Sequence, residues 1–306
     1  MDYKHGGTKM KVYKNVLEMI GDTPIVKLNK LNSNKSVEIY LKLEGQNPGG
    51  SVKDRIALRM IEAAEKERAL TKDKTILEAT SGNTGIGLAL VSIVKGYKII
   101  LTMSGGMSEE RKRMLRALGA KLVLTDPEKG TDGAIMRAHE MMKQNPDKYW
   151  MPNQFDNPNN VLAHYVGTAE EILKQMPDIT MFVAGMGTSG TLIGVSMRLK
   201  EENPQIEIVG VEPILNHKIA GLKNMKEAIV PKIYDESKLD TKIIVNDKDA
   251  YETARKLAKE GIFVGMSSGA AVFAALEKAK TLKKGKIVII SADRGEKYLS
   301  TELFNE

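Results

Sequence analysis

Thr75-Ile76-Leu77-Glu78-Ala79-Thr80-Ser81-Gly82-Asn83-Thr84-Gly85-Ile86-Gly87-Leu88 decides how this chain folds. Thr75 to Ala79 reads as a strand, and Thr84 to Val94 reads as an apolar helix directly after it. The turn between them carries Thr80, Ser81, Asn83 and Thr84. One hydroxyl is enough to cap a helix. Several hydroxyls, an amide and free backbone N–H groups at the positive end of a helix make a socket for a carboxylate or a phosphate. In open α/β sheets, ligands bind at such junctions, where strands end and helices begin.

The same alternation extends in both directions. Upstream, Val37 to Leu43 reads as a strand. Ser51 to Arg68 reads as a helix with Ile56, Met60, Ile61 and Ala64 at helical spacing. Downstream come strand Tyr97 to Met103, a helix capped by Ser108, strand Lys121 to Thr125 and helix Gly133 to Gln144. After the Pro/Asn-rich stretch Met151 to Asn160, the pattern resumes with helix 161–175, strand 180–184, helix 190–201 and strand 206–212. Residues 213–246 are less regular; helices 248–260 and 268–282 and strand 286–291 follow. The expected fold class is α/β, with parallel sheets covered by helices on both faces and a seam near residue 150.

A length of 306 residues suits two such domains. The absence of cysteine excludes disulfides, iron–sulfur clusters, thiolate zinc sites and a cysteine nucleophile. The histidines, His5, His139, His164 and His217, show no i, i+4 pair, so no metal site is expected. The net charge of +7 comes mainly from lysines mixed with acids along helices, the pattern of a solvated surface that also attracts small anions. Aromatic residues are 5%, and no basic run interleaves with them, which disfavours nucleic acid. Ile86 to Val94 is too short to span a bilayer and no signal peptide is visible, so the expectation is a cytoplasmic protein without membrane contact. Residues 1–9 read as a flexible start, with Met10 a second candidate initiator.

Three further junctions carry chemistry. Gly185-Met186-Gly187-Thr188-Ser189-Gly190-Thr191 follows an apolar strand and opens a helix, giving a second anion socket. It also matches the dinucleotide pattern G-x-G-x-x-G, with Glu207 and Glu212 as candidate ribose acids; this leaves an NAD-dependent oxidoreductase as an alternative. Asn47-Pro48-Gly49-Gly50-Ser51-Val52-Lys53-Asp54-Arg55 puts Lys53 in the first turn of a helix. The positive helix end disfavours a second positive charge, so Lys53 is expected to have a lowered pKa and to suit Schiff-base chemistry. In Gly265-Met266-Ser267-Ser268-Gly269, Ser268 reads as a helix N-cap, and Ser267 offers a hydroxyl to a ligand. One amine nucleophile and two anion sockets match pyridoxal 5′-phosphate (PLP), an aldehyde carrying a phosphate, acting on an amino acid carrying a carboxylate.

At these residues the sequence resembles the cysteine synthases, or O-acetylserine sulfhydrylases, PLP enzymes of the tryptophan-synthase-β fold. The resemblance extends through Ile20-Gly21-Asp22-Thr23-Pro24, Asn153-Gln154-Phe155-Asp156-Asn157-Pro158, Val211-Glu212-Pro213 and Gly295-Glu296-Lys297-Tyr298-Leu299-Ser300-Thr301, nearly the whole chain. It implies PLP fold type II, with the cofactor in a cleft between two α/β domains. Residues 43–150 would form the smaller domain with the substrate-carboxylate loop, and residues 10–42 plus 151–306 the larger one with the phosphate loop.

By the same resemblance, Lys53 would bind PLP covalently, and Gly187, Thr188, Ser189, Gly190 and Thr191 would hold its phosphate. Asn83 would meet its phenolic oxygen and Ser267 its ring nitrogen. Thr80, Ser81, Thr84 and Gln154 would hold the substrate α-carboxylate. The implied reaction is β-replacement: Lys53 removes the Cα proton, the β-substituent leaves, sulfide attacks Cβ, and Lys53 returns the proton. The donor is O-acetylserine or O-phosphoserine. Ser189 stands where many cysteine synthases have glycine. Ile214 to Pro231 lacks the glycine-rich loop of the major branch. Gly221-Leu222-Lys223-Asn224-Met225 instead resembles the branch with B-type and phosphoserine-using enzymes, which makes Lys223 a candidate reader of a phosphate leaving group. Cystathionine β-synthase, with homocysteine as nucleophile, shares these motifs and is the nearest alternative. The resemblance further implies a homodimer and leaves open a serine acetyltransferase partner.

Overall fold

The computed structural model describes residues 11–226 and 230–305. The segment 1–9, read above as a flexible start, lies outside the described residues, as do positions 227–229 of the stretch 214–231.

Strands β1 (Ile25–Lys27) and β2 (Val37–Leu43) begin one sheet. The chain then builds a second sheet from β3 (Thr75–Ala79), β4 (Lys98–Ser104), β5 (Lys121–Thr125) and β6 (Tyr149–Trp150). It returns to the first sheet through β7 (Met181–Gly185), β8 (Glu207–Pro213), β9 (Thr241–Val245) and β10 (Gly285–Ser291). The strand orders are β1-β2-β10-β7-β8-β9 and β5-β4-β3-β6. All pairings are parallel except β1 with β2. Helices α1 (Lys53–Lys66), α2 (Asn83–Lys95), α3 (Glu109–Ala117) and α4 (Gly130–Gln144) accompany the smaller sheet. Helices α5 (Pro158–Ala163), α6 (Ala169–Gln175), α7 (Gly190–Glu202), α8 (Asp247–Ala258) and α9 (Met266–Thr281) follow in the chain.

Strand β10 shows why its sequence is an unbroken apolar run. Ile287 and Ile289 pack on one face with Ala270, Ala274 and Val183, while Val288 and Ile290 pack on the other with Leu192 and Val195. A parallel strand covered on both faces has no polar side. In the smaller sheet, α1 and α2 bury Ile56, Met60, Ile61 and Leu88 against Ile76, Ile99 and Leu101. Helix α1 is therefore fixed to the smaller sheet, yet its start is tied to the larger one. The Val52 N–H donates to the Ala292 carbonyl at 2.9 Å, just beyond β10.

Several boundaries differ from the sequence reading. Strands β1 and β6 have three and two residues, too few for a periodic signal. Strand β9 lies at the sheet edge inside the stretch read as irregular. The expected helix 161–175 starts at Pro158 and is interrupted by a π-helical turn, His164–Thr168. There Gly194 of α7 comes so close that a Cβ would lie 2.3 Å from the Val161 carbonyl oxygen. Helix α9 starts at Met266 with Gly265 at its N-cap. Ser268 is therefore not the cap; its hydroxyl accepts the Ala292 N–H at 3.0 Å and ties α9 to the end of β10.

A buried ionic network joins β2, α1 and α6. The Arg55 guanidinium donates to Glu44 at 2.6 Å and to Glu171 at 2.6 Å, and the Lys42 ammonium donates to Glu171 at 2.6 Å. Burial alone would raise the Glu171 carboxyl, but Arg55 and then Lys42 bring it down to about 2. A carboxyl depressed in the folded state stabilises above its unfolded pKa, and that contribution is lost as pH falls from about 4.5 toward 2. Removing it leaves two buried cations short of a partner. Glu171→Ala is expected to lower unfolding free energy at pH 7 by about 3–5 kcal/mol in denaturant melts, with the difference from the parent shrinking below pH 4.

Candidate active site

Four helix N-termini border one cleft, and each follows a junction singled out in the sequence. Helix α1 begins with Lys53, α2 with Asn83, α7 with Gly190 and α9 with Met266. A cavity of about 540 Å³ is lined by Lys53, Thr80, Ser81, Asn83, Thr84 and Gln154 on one side and by Gly187, Thr188 and Lys223 on the other. Ser189, Thr191 and Ser267 line an adjoining recess that shares Lys53, Asn83, Gly187 and Thr188 with the cavity. Gly190 lines neither; it opens α7 with no room for a side chain, since a Cβ would lie 1.9 Å from Asn160 Oδ1. The structure thus brings the predicted residues together from positions scattered over both sheets.

Burial pulls the Lys53 ammonium down to about 8, against the Asp293 and Glu44 carboxylates, which raise it. The direction is the expected one, but loss of hydration is the main cause, ahead of anything read from the sequence. At pH 8 about half of such an amine is neutral and nucleophilic.

The loop at α2 has the features of a carboxylate socket. Gly82 occupies the N-cap and supplies no side-chain cap, leaving the first N–H groups of α2 to a ligand. Thr80 Oγ1 accepts the Gly82 N–H at 3.3 Å. The Thr84 hydroxyl donates to Gln154 Oε1 at 2.6 Å, so the Gln154 amide nitrogen keeps both hydrogens for the cavity.

The loop at α7 has those of a phosphate socket. Ser189 sits at its N-cap in the left-handed region, φ 68°, with no side-chain cap. Gly187 passes so close to Gly221 that a Cβ would lie 2.4 Å from the Gly221 oxygen. Thr188 accepts from Asn160 Nδ2 at 3.0 Å, and Thr191 pairs with His164 Nε2 at 3.1 Å. Burial, with Lys53 and Arg55 nearby, pushes His164 well below its ordinary value, so the ring is neutral. The Ser189 hydroxyl is buried without a hydrogen-bond partner. An orphaned hydroxyl beside uncapped helix N–H groups is what a bound phosphate satisfies, so the residues fit PLP.

The sequence reading missed the group that orients Asn83. Asn83 Nδ2 donates to Asp293 Oδ2 at 2.7 Å, and the Lys297 ammonium donates to Asn83 Oδ1 at 2.7 Å. Tyr298 also donates to Asp293, at 2.6 Å. Asn83 retains one amide hydrogen for a ligand. The available signal was position, since Asp293 lies just past an apolar strand, as the other junctions do. Glu78 and Asn160 were also missed. The acids offered for dinucleotide binding are engaged elsewhere. Glu212 accepts the Met225 N–H at 2.6 Å and pairs with Lys242 at 3.3 Å, while Glu207 pairs with Lys278 at 2.5 Å.

Comparison with known proteins agrees with this geometry. The sequence model of a family described as pyridoxal-phosphate dependent enzymes matches residues 16–293. A cysteine synthase of Aquifex aeolicus is 46% identical over 99% of this chain and 96% of its own length. A cysteine synthase structure from Entamoeba histolytica superposes with TM-score 0.94 at 39% identity, covering 99% of this chain and 94% of that one. A hydrogen sulfide-producing enzyme from Fusobacterium nucleatum superposes with TM-score 0.89 at 46% identity, covering 94% of this chain and 100% of that one.

The desolvated amine has a direct readout. On protein stripped of any carbonyl ligand, acylation of Lys53 by a small activated ester is expected to be half-maximal near pH 8. Surface lysines should follow their ordinary value of about 10.4. Peptide mass spectrometry across pH checks this, and Lys53 titrating with the surface lysines would contradict it.

Proposed function

The chain belongs to the cysteine synthase family of pyridoxal-phosphate dependent enzymes, and from that premise we propose that it uses O-acetylserine as donor, sulfide as nucleophile and Lys53 as the proton-transferring amine, yielding cysteine and acetate. The observation that carries the reading is the buried Lys53 amine, near pKa 8, between the loop at the start of α2 and the loop at the start of α7.

When bound, PLP withdraws the electron pair left at Cα, which makes that proton removable and the β-substituent a leaving group. Lys53 would hold the cofactor covalently. Gly187 to Thr191 would hold its phosphate at the N-terminus of α7, with the Ser189 hydroxyl as an extra donor. The remaining Asn83 N–H would meet the phenolic oxygen, and Ser267 would offer the ring nitrogen a neutral hydroxyl. Thr80, Ser81, Thr84 and the Gln154 amide would bind the donor α-carboxylate at the N-terminus of α2. This would fix Cα beside Lys53, which, once the donor's amine has taken its place on the cofactor, is free in its neutral form to take the Cα proton and to give it back after the carbon–sulfur bond has formed. The walls of the cleft, among them Ile86, Leu115 and Leu222, limit water around this exchange.

A second donor, O-phosphoserine, is supported by one observation: Lys223 lines the cavity. The likeness to cysteine synthases supports a homodimer, and a serine acetyltransferase is a candidate partner. Among the described residues no helix is long and apolar enough to cross a membrane, and we read the enzyme as cytoplasmic. We take residues 43–150, which contain β3 to β6, as the smaller domain.

The test is a matrix of acetylserine, phosphoserine and serine against sulfide, thiosulfate and homocysteine, with amino-acid products quantified. The highest kcat/KM is expected for acetylserine with sulfide; a clear preference for homocysteine would move the assignment to cystathionine formation. Lys53→Ala is expected to lower kcat by about 10²–10⁴-fold, the range for a lost acid–base group. Lys223→Ala should cost phosphoserine about tenfold more than acetylserine if it meets the phosphate. Equal losses, or none, would remove Lys223 from that role.

A further inference from the structure

Glu78 lies near the end of β3, 3% exposed, in the interior of the smaller sheet. A buried carboxylate is ordinarily paired with a cation, yet among the described residues no cationic side chain pairs with Glu78. Its partners are two consecutive backbone N–H groups on a segment 75 and 76 positions away. The Asn153 N–H donates to Oε2 at 2.9 Å and the Gln154 N–H to Oε1 at 3.1 Å. Burial pushes this carboxyl up to about 7, against those two bonds.

The segment it holds turns through the left-handed region, where Asn153 has φ 50°. That turn sets the direction of Gln154, whose Oε1 takes the Thr84 hydroxyl. A second hold comes from Asn160, whose Nδ2 donates to the Gln154 carbonyl at 2.7 Å and to Thr188 Oγ1 at 3.0 Å. The same turn therefore touches the carboxylate socket and the phosphate socket. The turn is thus held from both sides, by an acceptor at Glu78 and a donor at Asn160.

We propose that Glu78 is a positioning residue for donor binding: by accepting the N–H groups of Asn153 and Gln154, it holds the left-handed turn that aims the Gln154 amide at the donor α-carboxylate. This rests on the reading that Gln154 binds that carboxylate. Glu78 touches neither donor nor cofactor and acts through Gln154. In Glu78→Gln one oxygen still accepts, but an amide NH₂ faces the second N–H, so the turn loses one bond and gains a donor–donor contact.

Holoenzymes carrying Glu78→Gln and Gln154→Ala are compared by the KM for acetylserine, kcat and the visible absorbance of bound cofactor. Both are expected to raise KM about tenfold, the loss of a hydrogen bond to a charged group, with kcat within about threefold and cofactor absorbance retained. If Gln154→Ala raises KM and Glu78→Gln does not, the proposal fails and the assignment of Gln154 stands. If neither raises KM, the assignment of Gln154 fails and the proposal with it. Loss of cofactor or a fall in kcat at unchanged KM in Glu78→Gln would mark a general structural role and overturn the proposal. Should Glu78→Gln not fold, hydrogen exchange on the parent holoenzyme decides. Amides of Asn153 and Gln154 protected like those of β3 support the hold, and exchange as fast as exposed loops overturns it.

Discussion

Keeping an amine out of water disfavours its charged form, because the protein interior does not replace the lost hydration. Lys53 is kept in that condition by the way α1 is anchored. Its body is locked by Ile56, Met60 and Ile61 into the smaller sheet, and its first turn is bonded to the end of β10 in the larger one. The amine is thereby placed between the sheets, where Asp293 and Glu44 offset only part of the desolvation. Glu44 is also bound to Arg55, two residues along the same helix. The proposed chemistry of the cleft follows from this one constraint: an amine almost wholly charged at neutral pH on the surface has about a tenth of its population neutral here, the form a base and nucleophile needs.

The two anion sockets depend on the same architecture. A parallel sheet directs strand ends and helix starts to one edge, and here two sheets face each other across those edges. Helix α2 offers N–H groups without a side-chain cap at one wall, and α7 does so at the other. On the proposed reading, an amino acid and a phosphate-bearing aldehyde would be drawn toward Lys53 from opposite sides. Specific side chains then refine what backbone dipoles begin: Thr84 with Gln154, Asn83 with Asp293 and Lys297, and Thr191 with His164.

Much of this was legible in the sequence because it is local. Strand, turn and helix at Thr75 to Val94, the Gly-Gly-Ser turn before Lys53 and the glycine loop before α7 each announce themselves within one short stretch of chain. The resemblance to cysteine synthases then gave each junction a role. What escaped reading is long-range. Asn83 and Asp293 are 210 positions apart, and Glu78 is 75 from Asn153. No periodicity connects such pairs; only the packing of β10 and β3 does. The short strands β1 and β6 lack enough residues to show alternation, and the π-helical turn at His164 depends on the close approach of Gly194. Ser268 looked like a cap because caps are usually hydroxyls, but the chain caps α9 with Gly265 and uses Ser268 to reach β10.

The central claim is that the Lys53 nitrogen carries the cofactor. Freshly isolated protein should be yellow, and borohydride should bleach it while fixing a pyridoxyl phosphate group onto one lysine. Digestion and mass spectrometry are predicted to find that added mass on the peptide containing Lys53 and on no other. A pyridoxyl mass on a different lysine, or a colourless protein with an unmodified Lys53, would contradict the account.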